Sequence, residues 1–149
     1  AENIDIVMDF DEQLPAVWID EDLIKQVIMN MLVNAQHAIE GAGRIMIRTK
    51  YHPEFRRAEL GDQPIPMAEI IFADNGCGIP EEDLQLIFDP FFTTKGVGKG
   101  TGLGLSVNHG TVKAHGGLIE VESTVGVGTE FRVYLPIGGP EATDRRSEA

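Results

Sequence analysis

The chain has 149 residues, 42% apolar and 24% charged, the size and balance of one domain able to bury a core without disulfides. Its 24 acidic and 12 basic residues leave a formal net charge of −12, which excludes a general basic surface for nucleic acid or anionic lipid and makes any phosphate site local. The single cysteine, Cys77, excludes an internal disulfide and a zinc site built on several thiolates. With no apolar run near the ~20 residues that span a bilayer, and no signal core in AENIDIVMDF, the sequence reads as a cytoplasmic domain without direct membrane contact, cut from a longer protein.

Near the start, Ile4, Ile6, Met8 and Phe10 alternate with Asn3, Asp5 and Asp9, the period of a half-buried strand. From Asp20, DEDLIKQVIMNMLVNAQHAIEGAG opens with a capping residue and an acidic first turn, continues in good helix formers and should stop at Gly41. RIMIRTK (44–50) and MAEIIFA (67–73) predict strands, and the prolines and charges of the intervening 51–66 predict an exposed loop. EEDLQLIF (81–88) predicts a short helix, and residues 101 to 115 predict a longer one ending before Gly116 and Gly117. LIEVES and TEFRVYL read as strands of a hairpin turning at VGVG (125–128). The domain should occupy residues 1–137, with 138–149 a disordered tail lacking large apolar side chains.

Ten of the 17 glycines fall between residues 76 and 117, five of them in GVGKGTGLG (96–104). Such a run lets backbone amides approach a ligand closely. Neither common phosphate loop fits it: Lys99 is followed by Gly100 rather than Ser or Thr, and the chain has no G-x-G-x-x-G. At about 100° per residue, Asn30, Asn34 and His37 share an arc of roughly 60° beside the apolar stripe of the first helix. Amide oxygens suit Mg²⁺, which takes its other ligands from water and substrate phosphates; hydrogen bonding to nearby backbone would explain the same asparagines. At the end of an apolar strand, Asp74 in DNGCGIP could accept a hydrogen bond from an exocyclic amine such as that of adenine. Asn75-Gly76 would also serve as a plain turn.

Four segments occur in order: NMLVNA (30–35), DNGCGIP (74–80), FDPFFTTK (88–95) and GKGTGLGLS (98–106), followed by GVGTEF (126–131). They resemble the N box, first glycine box, phenylalanine box and second glycine box of the catalytic ATP-binding domain of sensor histidine kinases. This is a branch of the GHKL superfamily that also holds type II topoisomerases, MutL proteins and heat-shock ATPases. The resemblance spans about residues 3 to 136, and the TTK of the third box is similar to that of nitrogen-regulation-type kinases. It implies a two-layer α/β sandwich (the Bergerat fold), with a mixed, mainly antiparallel sheet of about five strands and helices on one face. ATP would lie between the helices and a mobile lid.

By the same resemblance, Asn34 is the magnesium ligand, and Asn30 the polar residue one turn earlier, at the reaction centre with the phosphate-facing Lys95. His37 touches phosphate, Asp74 binds the adenine amine beside Thr129, and Gly76 and Gly78 let the backbone pass the base. Phe88, Phe91 and Phe92 anchor the lid. Lys99, Gly100, Thr101, Gly102, Leu103 and Gly104 form the phosphate-binding turn, and His115 matches a helix end better suited to capping than to catalysis. Ala38 stands where many relatives place an aromatic residue that stacks on adenine, which leaves stacking to Ile79. Hydrolytic branches carry a glutamate at the position of Asn30, and an amide cannot serve as a general base near neutral pH. The resemblance therefore implies presentation of the ATP γ-phosphate to a histidine on a separate dimerisation hairpin, with a response regulator downstream. A hydrolytic GHKL ATPase and a noncatalytic adenine-nucleotide sensor are the alternatives.

Overall fold

Five strands form one sheet in the order β1-β2-β3-β5-β4 in the computed structural model, which describes residues 3–90, 92 and 104–141. They are β1 (Asn3–Asp9), β2 (Ala42–Phe55), β3 (Ile65–Asp74), β4 (Leu118–Thr124) and β5 (Gly128–Pro136). Only β1 and β2 run parallel, joined by a crossover through helix α1 (Glu21–Ala38); the other neighbours are antiparallel. The expected mixed, mainly antiparallel architecture is therefore the observed one. Helices α2 (Glu81–Leu84) and α3 (Gly104–Ala114) complete the regular structure.

The period of two decides which side of the sheet is covered. Phe72 on β3 and Phe131, Val133 and Leu135 on β5 turn one face toward Ile24, Val27 and Met31 of α1 and Val112 of α3. Burying each large side chain is worth about 1.5–3 kcal/mol, so this stripe outweighs the ~1 kcal/mol of the helix cap, in which Asp20 accepts a hydrogen bond from the Leu23 amide at 3.1 Å. Packing also ends α1 earlier than the glycine signal predicts. Ile39 leaves helical geometry to bury itself with Ala35 and Ile45, and Gly41 follows with φ +77°.

The stretch 51–66 corrects the expectation of an exposed loop. β2 continues to Phe55 and β3 begins at Ile65, with a 3₁₀ turn at Ala58–Leu60 between them. A register shift between His52 and Phe55 accommodates Pro53, which would interrupt a regular ladder. Phe55, Ile65, Met67, Leu118 and Tyr134 form a second buried cluster, with the Phe55 and Tyr134 rings 4.6 Å apart. The Arg57 guanidinium lies 4.5 Å above the Phe55 ring. Buried Glu69 meets His52 Nε2 at 2.7 Å, and burial together with that carboxylate pushes the Tyr134 phenol up.

Other boundaries shift for similar reasons. The helix expected over 81–88 stops at Leu84, after which Ile87 drops into the main core and Phe88 packs against it. His115 is structural: its Nδ1 donates to the Thr111 carbonyl at 2.8 Å and its Nε2 accepts from the Asp20 amide at 3.1 Å. The ring thereby ties the end of α3 to the start of α1. At the far end, the Ile137 carbonyl accepts from the Trp18 amide, and Gly139 is buried against Trp18. Residues 142–149, most of the expected tail, lie outside the described residues.

Candidate nucleotide site

The site begins where the two central strands end together. Antiparallel register places Asp74, the last residue of β3, directly opposite Thr129 near the start of β5. One Asp74 oxygen accepts from the Gly76 amide at 2.8 Å, and the Thr129 amide also donates to the carboxylate. A carboxylate has about four acceptor positions, so capacity remains for a ligand donor. Burial is the dominant influence on this group and raises its pKa against the lowering effect of the two amides.

A hydroxyl relay supports the same corner. Ser123 Oγ donates to the Gly128 carbonyl at 3.0 Å and accepts from the Ile79 amide at 2.7 Å. Having one proton, Ser123 must receive the proton of its 2.8 Å contact with Thr129 Oγ1. Gly128 itself has φ +148°, and a β-carbon there would overlap the Asp74 carbonyl oxygen. Gly128→Ala should therefore destabilise the fold by about 2 kcal/mol or more. Urea unfolding checks this, and an unchanged midpoint would show that the strand ends can separate without cost.

The first glycine segment is held against the end of α1. The Cys77 amide donates to the Ala38 carbonyl at 2.9 Å, and a β-carbon on Gly76 would come within 2.6 Å of that same oxygen. A β-carbon on Gly78 would overlap the Thr124 carbonyl oxygen. The small Ala38 side chain thus serves close packing of this turn. Ile79 is half-buried and packs on the main core.

Asn30 and Asn34 are half-buried on α1, and His37 is exposed in its last turn. Gly104 brings the start of α3 to this helix: a β-carbon there would lie 3.7 Å from the Asn30 Cγ. Asn30 Nδ2 donates to Asn108 Oδ1 at 3.0 Å. Phe88 links α3 to the sheet, its ring 5.3 Å from that of His109 on α3 and 6.4 Å from Phe131 on β5. Phe92 also packs on the core. Phe91, Lys95, Lys99, Gly100, Thr101, Gly102 and Leu103 lie outside the described residues, as does most of the expected lid over 92–101.

Sequence reasoning missed Ser123, Gly128 and Asn108. Gly128 was visible within GVGTEF, whereas the other two depend on partners distant in the chain. Among the described residues, no group of three or more His, Cys, Asp or Glu side chains could hold a metal alone. The amide oxygen of a side chain such as Asn34 is a hard neutral donor of the kind that Mg²⁺ accepts beside waters and phosphates. No described helix is long and apolar enough to cross a membrane.

The family model described as "Histidine kinase-, DNA gyrase B-, and HSP90-like ATPase" matches residues 19–139. Among curated proteins, the chain is 43% identical over 139 residues to the sensor kinase CckA of Brucella abortus, covering 91% of this chain and 15% of that one. It is 37% identical over 154 residues to the sensory histidine kinase/phosphatase NtrB of Rhizobium leguminosarum, covering 100% of this chain and 39% of the relative. Among solved structures, a nucleotide-free catalytic domain of histidine kinase ThkA superposes with TM-score 0.72 at 34% identity, covering 91% of this chain and 82% of that one. Full-length ShkA in complex with AMPPNP gives TM-score 0.72 at 26% identity, covering 91% and 26%.

Proposed function

Because the chain belongs to the family of histidine kinase-, DNA gyrase B-, and HSP90-like ATPases, we propose that it is the ATP-binding catalytic domain of a sensor histidine kinase and that Mg-ATP occupies the corner described above. The observation that carries this reading is the pairing of the half-buried Asp74–Thr129 corner with an α1 face that bears amides at 30 and 34 and no carboxylate there.

Asp74 accepts the adenine amine, which selects adenine over guanine by the direction of one hydrogen bond. Gly76 and Gly78 keep side chains out of the base's path, and Ile79 offers an apolar contact to its ring. Asn34 contributes an oxygen to Mg²⁺, which when bound neutralises polyphosphate charge and orients the terminal phosphate. His37, at the same end of α1, reaches the phosphates. Asn30 cannot take a proton from water, so hydrolysis lacks its base. The γ-phosphate then awaits a nucleophile from elsewhere, a histidine on a dimerisation hairpin outside this sequence, with a response regulator receiving the phosphoryl group afterwards. The chain spans only 15% and 39% of the two curated relatives, and the hairpin and the regulator are proposed from the motif resemblance together with the missing base at position 30.

Phosphoryl transfer from γ-labelled ATP to the protein's own helical hairpin, supplied as a separate chain, tests the reading. Acid-labile, base-stable label on the hairpin with little free phosphate is expected. Steady phosphate release without labelled hairpin would instead assign a hydrolytic ATPase.

A further inference from the structure

Asn108, on α3, is fully buried at 0% exposure and has no part in the reading above. An apolar residue would fill such a place at lower cost, since each unmet polar valence of a buried amide costs about 1–3 kcal/mol. Among the described residues its amide has two partners, both on α1. Nδ2 donates to the Val27 carbonyl at 3.4 Å, and Oδ1 accepts from Asn30 Nδ2 at 3.0 Å.

The direction of this relay follows from its fixed end. The Val27 carbonyl can only accept, so Asn108 must turn its NH₂ toward α1's backbone. Its oxygen then faces Asn30, and Asn30 must answer with its own NH₂. That bond spends one of Asn30's two N–H donors and fixes the rotation of its amide, so its carbonyl oxygen, an acceptor, is held on the side away from Asn108. An acceptor suits water molecules coordinated to a metal ion, which donate hydrogen bonds, and repels bare phosphate oxygens, which only accept.

We propose that Asn108 is a positioning residue that locks Asn30 as an acceptor at the nucleotide site and so makes the site favour Mg-ATP over metal-free ATP. This rests on the proposed nucleotide reading. Without the relay the Asn30 amide can rotate and offer its NH₂ directly to phosphate.

Calorimetry of the nucleotide-binding protein with Mg-ATP, metal-free ATP and adenosine tests the inference. In Asn108→Leu the affinity ratio of Mg-ATP to metal-free ATP should fall about fivefold to tenfold, the worth of one hydrogen bond, with adenosine affinity unchanged. Asn108→Asp, protonated in this fully buried place, still donates to the Val27 carbonyl and accepts from Asn30, and should keep the ratio near that of the wild type. Adding Asn30→Ala to Asn108→Leu should lower the ratio no further than Asn30→Ala alone, because Asn108 acts through Asn30. A wild-type ratio in Asn108→Leu with intact adenosine binding overturns the proposal. If the leucine variant does not fold, Asn108→Asp decides: a retained ratio supports the relay, and a lost ratio overturns it. Wild-type protein that binds ATP without regard to Mg²⁺ would defeat the nucleotide reading itself, an outcome separate from these.

Discussion

Asp74→Ala is expected to weaken ATP binding by about fivefold to 150-fold, equivalent to the 1–3 kcal/mol of an unpaired donor in a buried site. The structural reason is that the carboxylate is held in advance of any ligand. The Gly76 and Thr129 amides fix it, so binding adenine orders no flexible group there. Asp74→Asn keeps an acceptor oxygen and removes the charge, so its loss should be smaller. The pH dependence has a definite sign. Burial raises this pKa above the ordinary carboxylate value, and the ionised form is therefore costlier in the folded chain than in the unfolded one. Its contribution to stability is largest below the unfolded value and is lost as pH rises through the raised folded value. ATP binding runs the other way, strengthening as the carboxylate ionises over that window, and Asp74→Asn should remove this part of the pH profile. Equal ATP affinity in the wild type and the alanine variant would remove Asp74 from the site.

The local geometry of the candidate corner was legible in the sequence because its signals are local. Asp74 and Gly76 are two residues apart and bond to each other, and the cap at Asp20 and the arc of Asn30, Asn34 and His37 follow from helical period alone. What stayed hidden depends on contacts across the fold. Asn108 is 78 residues from Asn30, and in sequence it looks like an ordinary polar residue within a helix. Ser123 acquires its role only when the hairpin brings Thr129 beside it and the first glycine segment delivers the Ile79 amide. The 51–66 stretch misleads because Pro53 and its charges weaken the alternation, while a bulge and a separate aromatic cluster repair the pairing. Ile39 ends α1 for a tertiary reason, since a buried place beside Ile45 competes with one more residue of helix.

Asn34→Ala should reduce affinity for Mg-ATP by about tenfold to a hundredfold, a loss of roughly 1.4–2.8 kcal/mol, and leave adenosine affinity nearly unchanged. The split follows from the two ends of the site. In the proposed site adenine meets the Asp74–Thr129 corner and the turn packed against Ala38, whereas Asn34 is assigned to the metal. In the same proposal α1 holds the metal and phosphates, and the described residues supply no acidic cage to replace a lost ligand. Mg²⁺ accepts few protein ligands and demands near-octahedral geometry, so removing one oxygen cannot be offset by loose rearrangement of neighbours. Asn34→Asp restores an oxygen and adds a charge, and it should recover metal affinity. Titrating Mg²⁺ at fixed ATP and following bound nucleotide separates the cases. If the alanine variant loses adenosine and Mg-ATP affinity equally, Asn34 supports the fold of α1 instead of holding the metal.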